Sequence, residues 1–527
     1  AIVLTALAVV LGGCAGEAPM ETADQTAAPR EVPSYTIDQF LDVTAITGAS
    51  VSPDKSKVLV STDETGIFNA YAVPVAGGEP EQLTHSAEES IFALSWFPDG
   101  ERFLYTADQG GNELNHVYVR EADGTVTDVT PGEELKALYL GWAQDDRSFY
   151  VATNERDPRF FDLYEIAADG YEKTLLYQDE TGYQIADVSP DERYLAFNKP
   201  RTTFDSDIYV YDRQTEEMRH LTPHEGHVAH SALQFTKDGT GLYATTDEGH
   251  EYAYLVRYDL ASGERHEVLK PEWDVMYAYL SKNGKYLVAA INNDAKTELR
   301  MFEAATMEPV PVPDLPQADI TSVSLSRDES LMTFYASSDR RPPDLYVYDL
   351  AQGGEPRRLT DSLSPEVDPE NLVDAEVVRF ASYDGVQVPG VLFKPHQAGP
   401  EAKAPAVIYI HGGPGGQTRV GYNPLVQYLV NHGYVVYGIN NRGSSGYGKT
   451  FFKMDDKKHG EADLDDVVAS KKMLIDTGYV DPERVGVLGG SYGGYLTLAA
   501  LAFRPEEFAA GVDIFGVANW PRTLESI

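Results

Sequence analysis

One short glycine-rich run has the residue types and spacing for nucleophilic chemistry, Gly489-Gly490-Ser491-Tyr492-Gly493-Gly494. It contains Gly-x-Ser-x-Gly, the pattern of a nucleophile elbow, in which a serine occupies a strained turn between a strand and a helix. The residues before the run predict a strand at 484–488, and those after it predict a helix at 495–503. Side chains at Gly489 and Gly493 would collide with neighbouring backbone, so glycine is expected at both positions. Ser491 is therefore predicted to be an exposed nucleophile at a helix N-terminus.

A second motif, His411-Gly412-Gly413-Pro414, directly follows an apolar stretch at 406–410 that predicts a buried parallel strand. Enzymes with a nucleophile elbow place an oxyanion donor in a loop of this kind. We therefore predict an oxyanion hole formed by the backbone N–H groups of Tyr492 and Gly413.

The histidine of this second motif, His411, is not predicted to be the general base. In folds with this elbow the triad runs in the order serine, acid, histidine. All twelve histidines, of which His459 is the last, precede Ser491. The triad Asp and His are therefore expected beyond Ile527. The chain is expected to be truncated within this domain and inactive as it stands.

The elements that position these motifs alternate between strand and helix from residue 375 onward. The sequence predicts a hairpin at 376–395 that turns at Asp384-Gly385. A helix at 424–431, a strand at 434–439 and a helix at 462–477 are predicted to follow. This alternation indicates a doubly wound parallel sheet, over residues 375–527.

A turn signal recurs through the middle of the chain. Asp or Asn follows a short strand-like stretch at seven positions that are 45 to 47 residues apart: 54, 99, 145, 191, 238, 283 and 328. Four short strands in a unit of this length are typical of a β-propeller blade. Residues 49–360 are therefore predicted to form a closed, seven-bladed β-propeller. A linker is predicted at 361–374, and a segment at 35–48 is expected to pack on the later domain.

Two charged segments in the propeller are candidate binding sites. The segment 224–230, His-Glu-Gly-His-Val-Ala-His, lacks the His-Glu-x-x-His spacing that puts two metal ligands on one helix face. It lies between two predicted blades, where a polar loop is the favoured interpretation. The segment 156–159, Arg-Asp-Pro-Arg, is predicted to lie in a loop of the third blade. It could bind a peptide carboxylate, but an internally paired loop is favoured.

The N-terminal residues predict export and lipid attachment. An apolar run at 2–11 is too short to span a bilayer as a helix and is typical of a signal peptide. It leads into Leu11-Gly12-Gly13-Cys14, which resembles a bacterial lipoprotein signal, with Cys14 as the lipidated residue. Residues 1–14 are predicted to be the signal peptide and 15–34 a flexible tether. The expected location is the bacterial cell envelope.

Composition excludes one class of function. The chain of 527 residues carries 83 acidic and 42 basic side chains, a formal net charge of −41. Proteins that bind nucleic acids need clustered Lys and Arg to displace phosphate counterions, and this charge would repel phosphate. We therefore expect no nucleic-acid partner.

Taken together, the propeller repeat and the motifs of the later domain resemble the prolyl oligopeptidase family of serine peptidases. The matching residues are the His411 motif, the elbow around Ser491 and the run 441–448, Asn-Arg-Gly-Ser-Ser-Gly-Tyr-Gly. The His-Gly-Gly-Pro form is closer to the acylaminoacyl-peptidase and dipeptidyl-peptidase-like branches. The resemblance implies a seven-bladed propeller joined to an α/β-hydrolase domain, with Ser491 as nucleophile and Tyr492 and Gly413 as oxyanion donors.

The resemblance also implies what the protein acts on. Short peptides would be the substrates, and the propeller would exclude folded proteins. No metal or organic cofactor is required by this chemistry. An esterase or other acyl hydrolase remains an alternative, since the elbow is shared across that chemistry. A non-catalytic propeller that binds ligands in the envelope is the other alternative.

Overall fold

The computed structural model describes residues 29–315 and 318–526. The predicted signal peptide, its Cys14 and most of the predicted tether lie outside the described residues. No helix among the residues described is both long enough and apolar enough to cross a membrane.

Seven four-stranded antiparallel sheets follow one another along the chain. The first two comprise β1 Ile46–Val51, β2 Lys57–Thr62, β3 Asn69–Pro74 and β4 Glu81–Gln82, then β5 Phe92–Trp96, β6 Phe103–Ala107, β7 His116–Arg120 and β8 Val126–Asp128. The next two comprise β9 Ala137–Trp142, β10 Ser148–Asp157, β11 Phe160–Ala167 and β12 Lys173–Tyr177, then β13 Gln184–Val188, β14 Tyr194–Thr202, β15 Asp205–Asp212 and β16 Glu217–His220. The fifth comprises β17 His230–Phe235, β18 Gly241–Thr246, β19 Tyr254–Asp259 and β20 Arg265–Leu269. The last two comprise β21 Val275–Leu280, β22 Tyr286–Asn293, β23 Lys296–Glu303 and β24 Glu308–Val310, then β25 Asp319–Leu325, β26 Leu331–Ser338, β27 Arg341–Asp349 and β28 Arg357–Arg358.

The recurring acidic residue closes the turn between the first two strands of a blade. In the first blade, the Ser52 hydroxyl donates to Asp54 Oδ1 at 2.6 Å, and the Ser56 N–H donates to the same oxygen at 3.0 Å. These hydrogen bonds lower the pKa of Asp54 to about 2. Asp191 and Asp328 accept corresponding bonds from Ser189 and Ser326. Asp99, Asp145 and Asp238 likewise accept from the N–H two residues further on, so six of the seven repeated positions form Asx turns. At the seventh, the Asn283 side-chain amide donates to Arg327 O instead.

The predicted seven-bladed ring is confirmed, and its first and last blades adjoin. The Tyr335 hydroxyl donates to Gly48 O, and Lys55 Nζ lies 2.6 Å from Asp328 Oδ2. The first strand begins at Ile46, which pairs with Thr62, so residues 46–48 belong to the propeller rather than to the preceding segment.

The second domain is built on a six-stranded sheet in the order β29-β30-β32-β31-β33-β34. Its elements are β29 Ala375–Ala381, β30 Gln387–Phe393, β31 Ala404–Ile410, α2 Pro424–Asn431, β32 Val435–Ile439, α3 Lys449–Phe452, α4 Ala462–Asp476, β33 Val480–Gly490, α5 Tyr492–Phe503, β34 Gly511–Ile514 and α6 Trp520–Ser526. Strands β31, β32, β33 and β34 are parallel to their neighbours in this group. Apolar residues of α4 and α5 pack on one face, whereas those of α2 pack on the other. Both faces are thus covered, as in other doubly wound sheets.

A short helix, α1 Ile37–Leu41, joins the chain before the propeller to the second domain. Its Phe40 is fully buried, in a cluster with Tyr35, Leu363 and Val367, and its ring centroid lies 6.0 Å from that of Tyr428 on α2. The predicted linker at 361–374 therefore contributes to a packed core rather than crossing solvent.

The end of the predicted tether is also held in place. The Arg30 N–H donates to His396 O at 2.9 Å, and the Asn431 side-chain amide donates to Pro33 O at 2.9 Å. Residues 30–33 are thus attached to the second domain, because the Arg30 N–H and the Pro33 carbonyl both form hydrogen bonds with it. The predicted tether, residues 15–34, therefore includes residues that are bound to the second domain.

The burial of Phe40 on α1 predicts that its truncation destabilises the protein far more than truncation of its neighbour. Phe40→Ala is expected to lower the free energy of unfolding by about 3 kcal/mol, because it leaves a cavity among buried aromatic and aliphatic side chains. The neighbouring Leu41 is 60% exposed, so Leu41→Ala should change it by less than about 0.5 kcal/mol. Urea denaturation of both variants checks this. Equal effects would contradict the packing of α1 against α2.

Candidate active site

The serine of the Gly-x-Ser-x-Gly run lies between β33 and α5, as predicted from the sequence. Ser491 is the N-cap of α5 and has φ 55° and ψ −118°, a backbone conformation that is strained for a residue with a Cβ. Its side chain is exposed. The turn therefore projects the Ser491 hydroxyl away from the sheet at the start of a 12-residue helix.

Glycine is required at two positions flanking the serine because the backbone comes too close for a side chain. A Cβ on Gly493 would overlap the carbonyl oxygen of Ile410 and lie 2.7 Å from that of His411. A Cβ on Gly489 would overlap the Gly493 carbonyl and lie 2.9 Å from Gly493 Cα. These contacts hold the first turn of α5 directly over the end of β31.

The loop after β31 lies beside Ser491, because β31 and β33 are adjacent parallel strands in which Ile410 pairs with Gly489. A Cβ on Gly412 would lie 3.3 Å from Ser491 Cβ and 3.7 Å from Ser491 Oγ. Among the residues described, the N–H groups of Gly413 and Tyr492 make no backbone hydrogen bond. Both groups are thus free to donate to a negatively charged oxygen near Ser491.

His411 points away from Ser491 and into the protein. Its Nε2 lies 2.8 Å from Ser444 Oγ and its Nδ1 lies 2.8 Å from Gly412 O. Burial lowers the pKa of the His411 imidazole. No imidazole of the described residues, which include all twelve histidines, is hydrogen-bonded to Ser491 Oγ. The histidines present therefore do not supply the base in this geometry.

The side chain of Tyr492 is anchored beneath the elbow, a contact that the sequence analysis missed. The Tyr492 hydroxyl donates to Asp463 Oδ2 on α4 and lies 2.9 Å from His459 Nδ1. Burial and the nearby Asp463 carboxylate raise the pKa of Tyr492 well above its usual value. These contacts fix the residue whose N–H adjoins the serine.

A buried ion pair holds the 441–448 run against the sheet. The guanidinium of Arg442 donates to both oxygens of Asp466, at 2.7 and 2.9 Å, and to Asp384 at 2.9 Å. The side chain of Asp466 is fully buried and that of Arg442 is 6% exposed. Ser444, the partner of His411, follows two residues later, and its hydroxyl donates to Asn441 O at 2.6 Å.

The residues that follow this run, and the loop after β31, contact the propeller. Glu251 accepts hydrogen bonds from the Thr450 N–H at 2.6 Å and the Thr450 hydroxyl at 2.9 Å, at the start of α3. The Asn292 side-chain amide donates to Gln417 Oε1 at 2.8 Å. The fifth and sixth blades therefore contact segments that adjoin the serine and its neighbouring loop.

Most charged side chains of the two propeller segments pair with nearby aspartates, whereas neither ring nitrogen of the buried His230 accepts or donates a hydrogen bond among the described residues. Asp205 lies 3.0 Å from His224 Nε2 and 3.3 Å from His227 Nδ1. Arg156 makes a bidentate pair with Asp162, at 2.7 and 2.9 Å. Arg156 lies in β10, at the tip of the hairpin that β10 forms with β11, so the predicted loop is a strand end. Paired strands extend further there than the sequence pattern indicates.

Family models match both halves of the chain. The Prolyl oligopeptidase family model matches residues 421–526. The model of the prolyl oligopeptidase N-terminal beta-propeller domain matches residues 79–359.

Similar proteins with this arrangement are peptidases by name. Dipeptidyl aminopeptidase BIII of Pseudoxanthomonas mexicana is 27% identical over 90% of this chain and 71% of its own length. Dipeptidyl peptidase family member 6 of Caenorhabditis elegans is 24% identical over 91% of this chain and 70% of its own. A solved puromycin-hydrolyzing peptidase of Mycobacterium tuberculosis superposes with a TM-score of 0.78 at 19% identity, over 95% of this chain and 81% of its own.

Fold and elbow together define a class of protein, an α/β-hydrolase domain joined to a seven-bladed propeller. The chain belongs to the prolyl oligopeptidase family. Membership of this family supports a serine-type hydrolase that acts on peptides.

The close approach at Gly493 gives a sharp test of the site geometry. Gly493→Ala is expected to destabilise the protein by about 1–3 kcal/mol, because a methyl group there meets backbone carbonyls that cannot rotate away. Gly490→Ala is the matched control, since its Cβ would lie 3.4 Å from the nearest atom, Ile514 O. Thermal unfolding of the two variants checks the difference. A Gly493→Ala variant as stable as Gly490→Ala would show that α5 lies further from β31.

Proposed function

We propose that the protein is a serine peptidase that hydrolyses short peptides through an acyl-enzyme. The observation that carries this proposal is the position of Ser491, exposed on a strained turn between the N-terminus of α5 and the loop that contains Gly412 and Gly413. A pure binding surface has no need of a serine held in this conformation. The names of the similar proteins, dipeptidyl aminopeptidase and dipeptidyl peptidase, favour peptides over simple esters as substrates.

In the proposed mechanism, Ser491 Oγ attacks the carbonyl carbon of the scissile bond while a base takes its proton. The carbonyl oxygen becomes negatively charged, and the N–H groups of Tyr492 and Gly413 donate to it. Each such donor stabilises the transition state by about 3 kcal/mol. The same base then returns the proton to the leaving amine, and water hydrolyses the acyl-enzyme in the reverse sequence.

We infer that the base, a histidine, and its acidic partner lie outside residues 1–527. The triad order expected on this fold supports this, as does the engagement of His411 with Ser444 and of His459 with Tyr492. The serine and the oxyanion donors, by contrast, come from elements within the described residues.

The propeller is proposed to restrict access to the serine. Its fifth and sixth blades contact α3 and the Gln417 segment, which supports a position over the catalytic domain. A narrow approach would admit short peptides and exclude folded proteins. Cleavage of a short peptide with no cleavage of a folded protein containing the same sequence would be the expected result.

Labelling with a fluorophosphonate probe tests the role of Ser491. The chain extended by the residues encoded after Ile527 should react at Ser491, identified by mass spectrometry, and Ser491→Ala should abolish the reaction. The 527-residue chain should react no faster than background, because a serine hydroxyl without a base is a poor nucleophile.

The control for this experiment is Ser262→Ala, a change at an exposed turn of the fifth blade that should leave labelling unchanged. Rapid labelling of the 527-residue chain would contradict the inferred external base. No labelling of the extended, folded protein would contradict the peptidase and favour a binding role. A higher kcat/KM for a p-nitrophenyl ester than for peptide p-nitroanilides would instead favour an esterase.

We further propose that the protein is anchored in the bacterial envelope through lipid on Cys14. The apolar run followed by Leu11-Gly12-Gly13-Cys14 supports this. The wild-type protein should partition with membranes, and its mature form should begin at Cys14. Cys14→Ser should abolish processing or release the protein. A wild-type protein found in the aqueous fraction with an intact N-terminus would contradict the anchor.

A further inference from the structure

Three potential metal ligands converge near the hydroxyl of Tyr492, the residue that follows Ser491. Asp455, His459 and Asp463 are spaced four residues apart. One ligand atom from each, two carboxylate oxygens and an imidazole nitrogen, lies within 4.8 Å of the other two. This is the only group of three such residues found in the part of the chain that the structure describes.

The first carboxylate is already oriented for a ligand. Asp463 Oδ1 accepts hydrogen bonds from the N–H groups of Gly460 and Leu464, both at 2.8 Å. These bonds fix the carboxylate and leave Oδ2 pointing toward His459 and the Tyr492 hydroxyl. Second contacts of this kind orient the ligands in many metal sites.

The second carboxylate is buried with an oxygen that lacks a hydrogen bond. Asp455 is 2% exposed, and its Oδ2 accepts no hydrogen bond from the described residues. That oxygen faces His459 Nδ1 at 3.3 Å. Buried carboxylate oxygens are normally hydrogen-bonded or bound to a cation, so this one needs an explanation.

We propose that Asp455, His459 and Asp463 bind one divalent first-row transition-metal ion, with Zn²⁺ as its most suitable occupant. Two carboxylates and one imidazole form a ligand set that Zn²⁺ accepts in tetrahedral geometry. The fourth position falls to water or to the hydroxyl of Tyr492. Binding at His459 Nδ1 places the imidazole proton on Nε2.

Electrostatics supports the same conclusion. Among the described residues, neither Asp455 nor Asp463 is ion-paired with Lys or Arg. Two buried carboxylates that lack a Lys or Arg partner are costly to keep ionised, and a divalent cation between them removes that cost.

The position of the ion defines its role. His459 and Asp463 both contact the phenol of Tyr492, whose N–H adjoins Ser491. The ion would therefore connect the segment before α4 to the first residue of α5. We assign it a structural role, which leaves the chemistry at Ser491 free of metal.

Zn²⁺ binding to the 527-residue chain tests the proposal directly. After removal of metal by chelation, isothermal titration with Zn²⁺ should give one tight site per chain, and the thermal unfolding midpoint should rise with Zn²⁺. His459→Gln should weaken binding at least about tenfold. Its side chain is 36% exposed, so this variant should fold normally. Asp455→Asn should weaken binding to a similar extent.

The matched control is Asp456→Asn, which changes an exposed neighbour and should leave the affinity for Zn²⁺ unchanged. Far-ultraviolet circular dichroism confirms that each variant is folded. Absence of a stoichiometric site in the wild type would overturn the proposal. So would a site that survives His459→Gln but is lost in His227→Gln, because the ion would then lie in the propeller.

Discussion

The contact between Gly493 and the end of β31 is the constraint on which the site depends. With no Cβ at this position, the first turn of α5 lies against the carbonyl groups of Ile410 and His411. The same packing puts the loop at Gly412 beside the serine, where a Cβ on Gly412 would lie 3.7 Å from Ser491 Oγ. In the proposed mechanism, oxyanion stabilisation comes from backbone N–H groups, which this geometry places before any substrate binds.

The charged groups around this contact orient neighbouring segments more than they stabilise the fold. The pairing of Arg442 with Asp466 is buried, and a buried ion pair is on average no more stabilising than apolar packing of the same volume. Its effect here is geometric, since it places Ser444 beside His411 and leads the chain toward Thr450 and Glu251. The hydrolase domain is thereby connected to the propeller through the same segment that adjoins the active-site loop.

Local patterns allowed much of this architecture to be predicted from the sequence. Six of the seven turns were predictable because an Asp closes its own turn, as Asp54 does with Ser52 and Ser56, and the even spacing marks the seventh at Asn283. The elbow was predictable because a serine between glycines, after a strand and before a helix, is a local pattern, whereas the contact of Gly493 with Ile410 and His411 is not local. The Asp463–Tyr492 and Arg442–Asp466 pairs were not, since they join side chains 29 and 24 residues apart with no periodic signal. The burial of Phe40 against residues near 363 and 428 escaped prediction for the same reason.

Local sequence patterns and long-range contacts inform different parts of the proposed active site. The proposed oxyanion donors are backbone groups, so the strand–turn–helix pattern that builds the turn also points to them. Proton transfer depends on a side chain that must reach Ser491 Oγ within about 3 Å, and no imidazole of the described residues hydrogen-bonds to that oxygen. His411 illustrates the difference. It lies next to the oxyanion loop in sequence, yet its ring is turned toward Ser444 and its pKa is lowered by burial. Local sequence patterns therefore point to the proposed oxyanion donors, whereas His411 is excluded as the base first by residue order and then by its contact with Ser444.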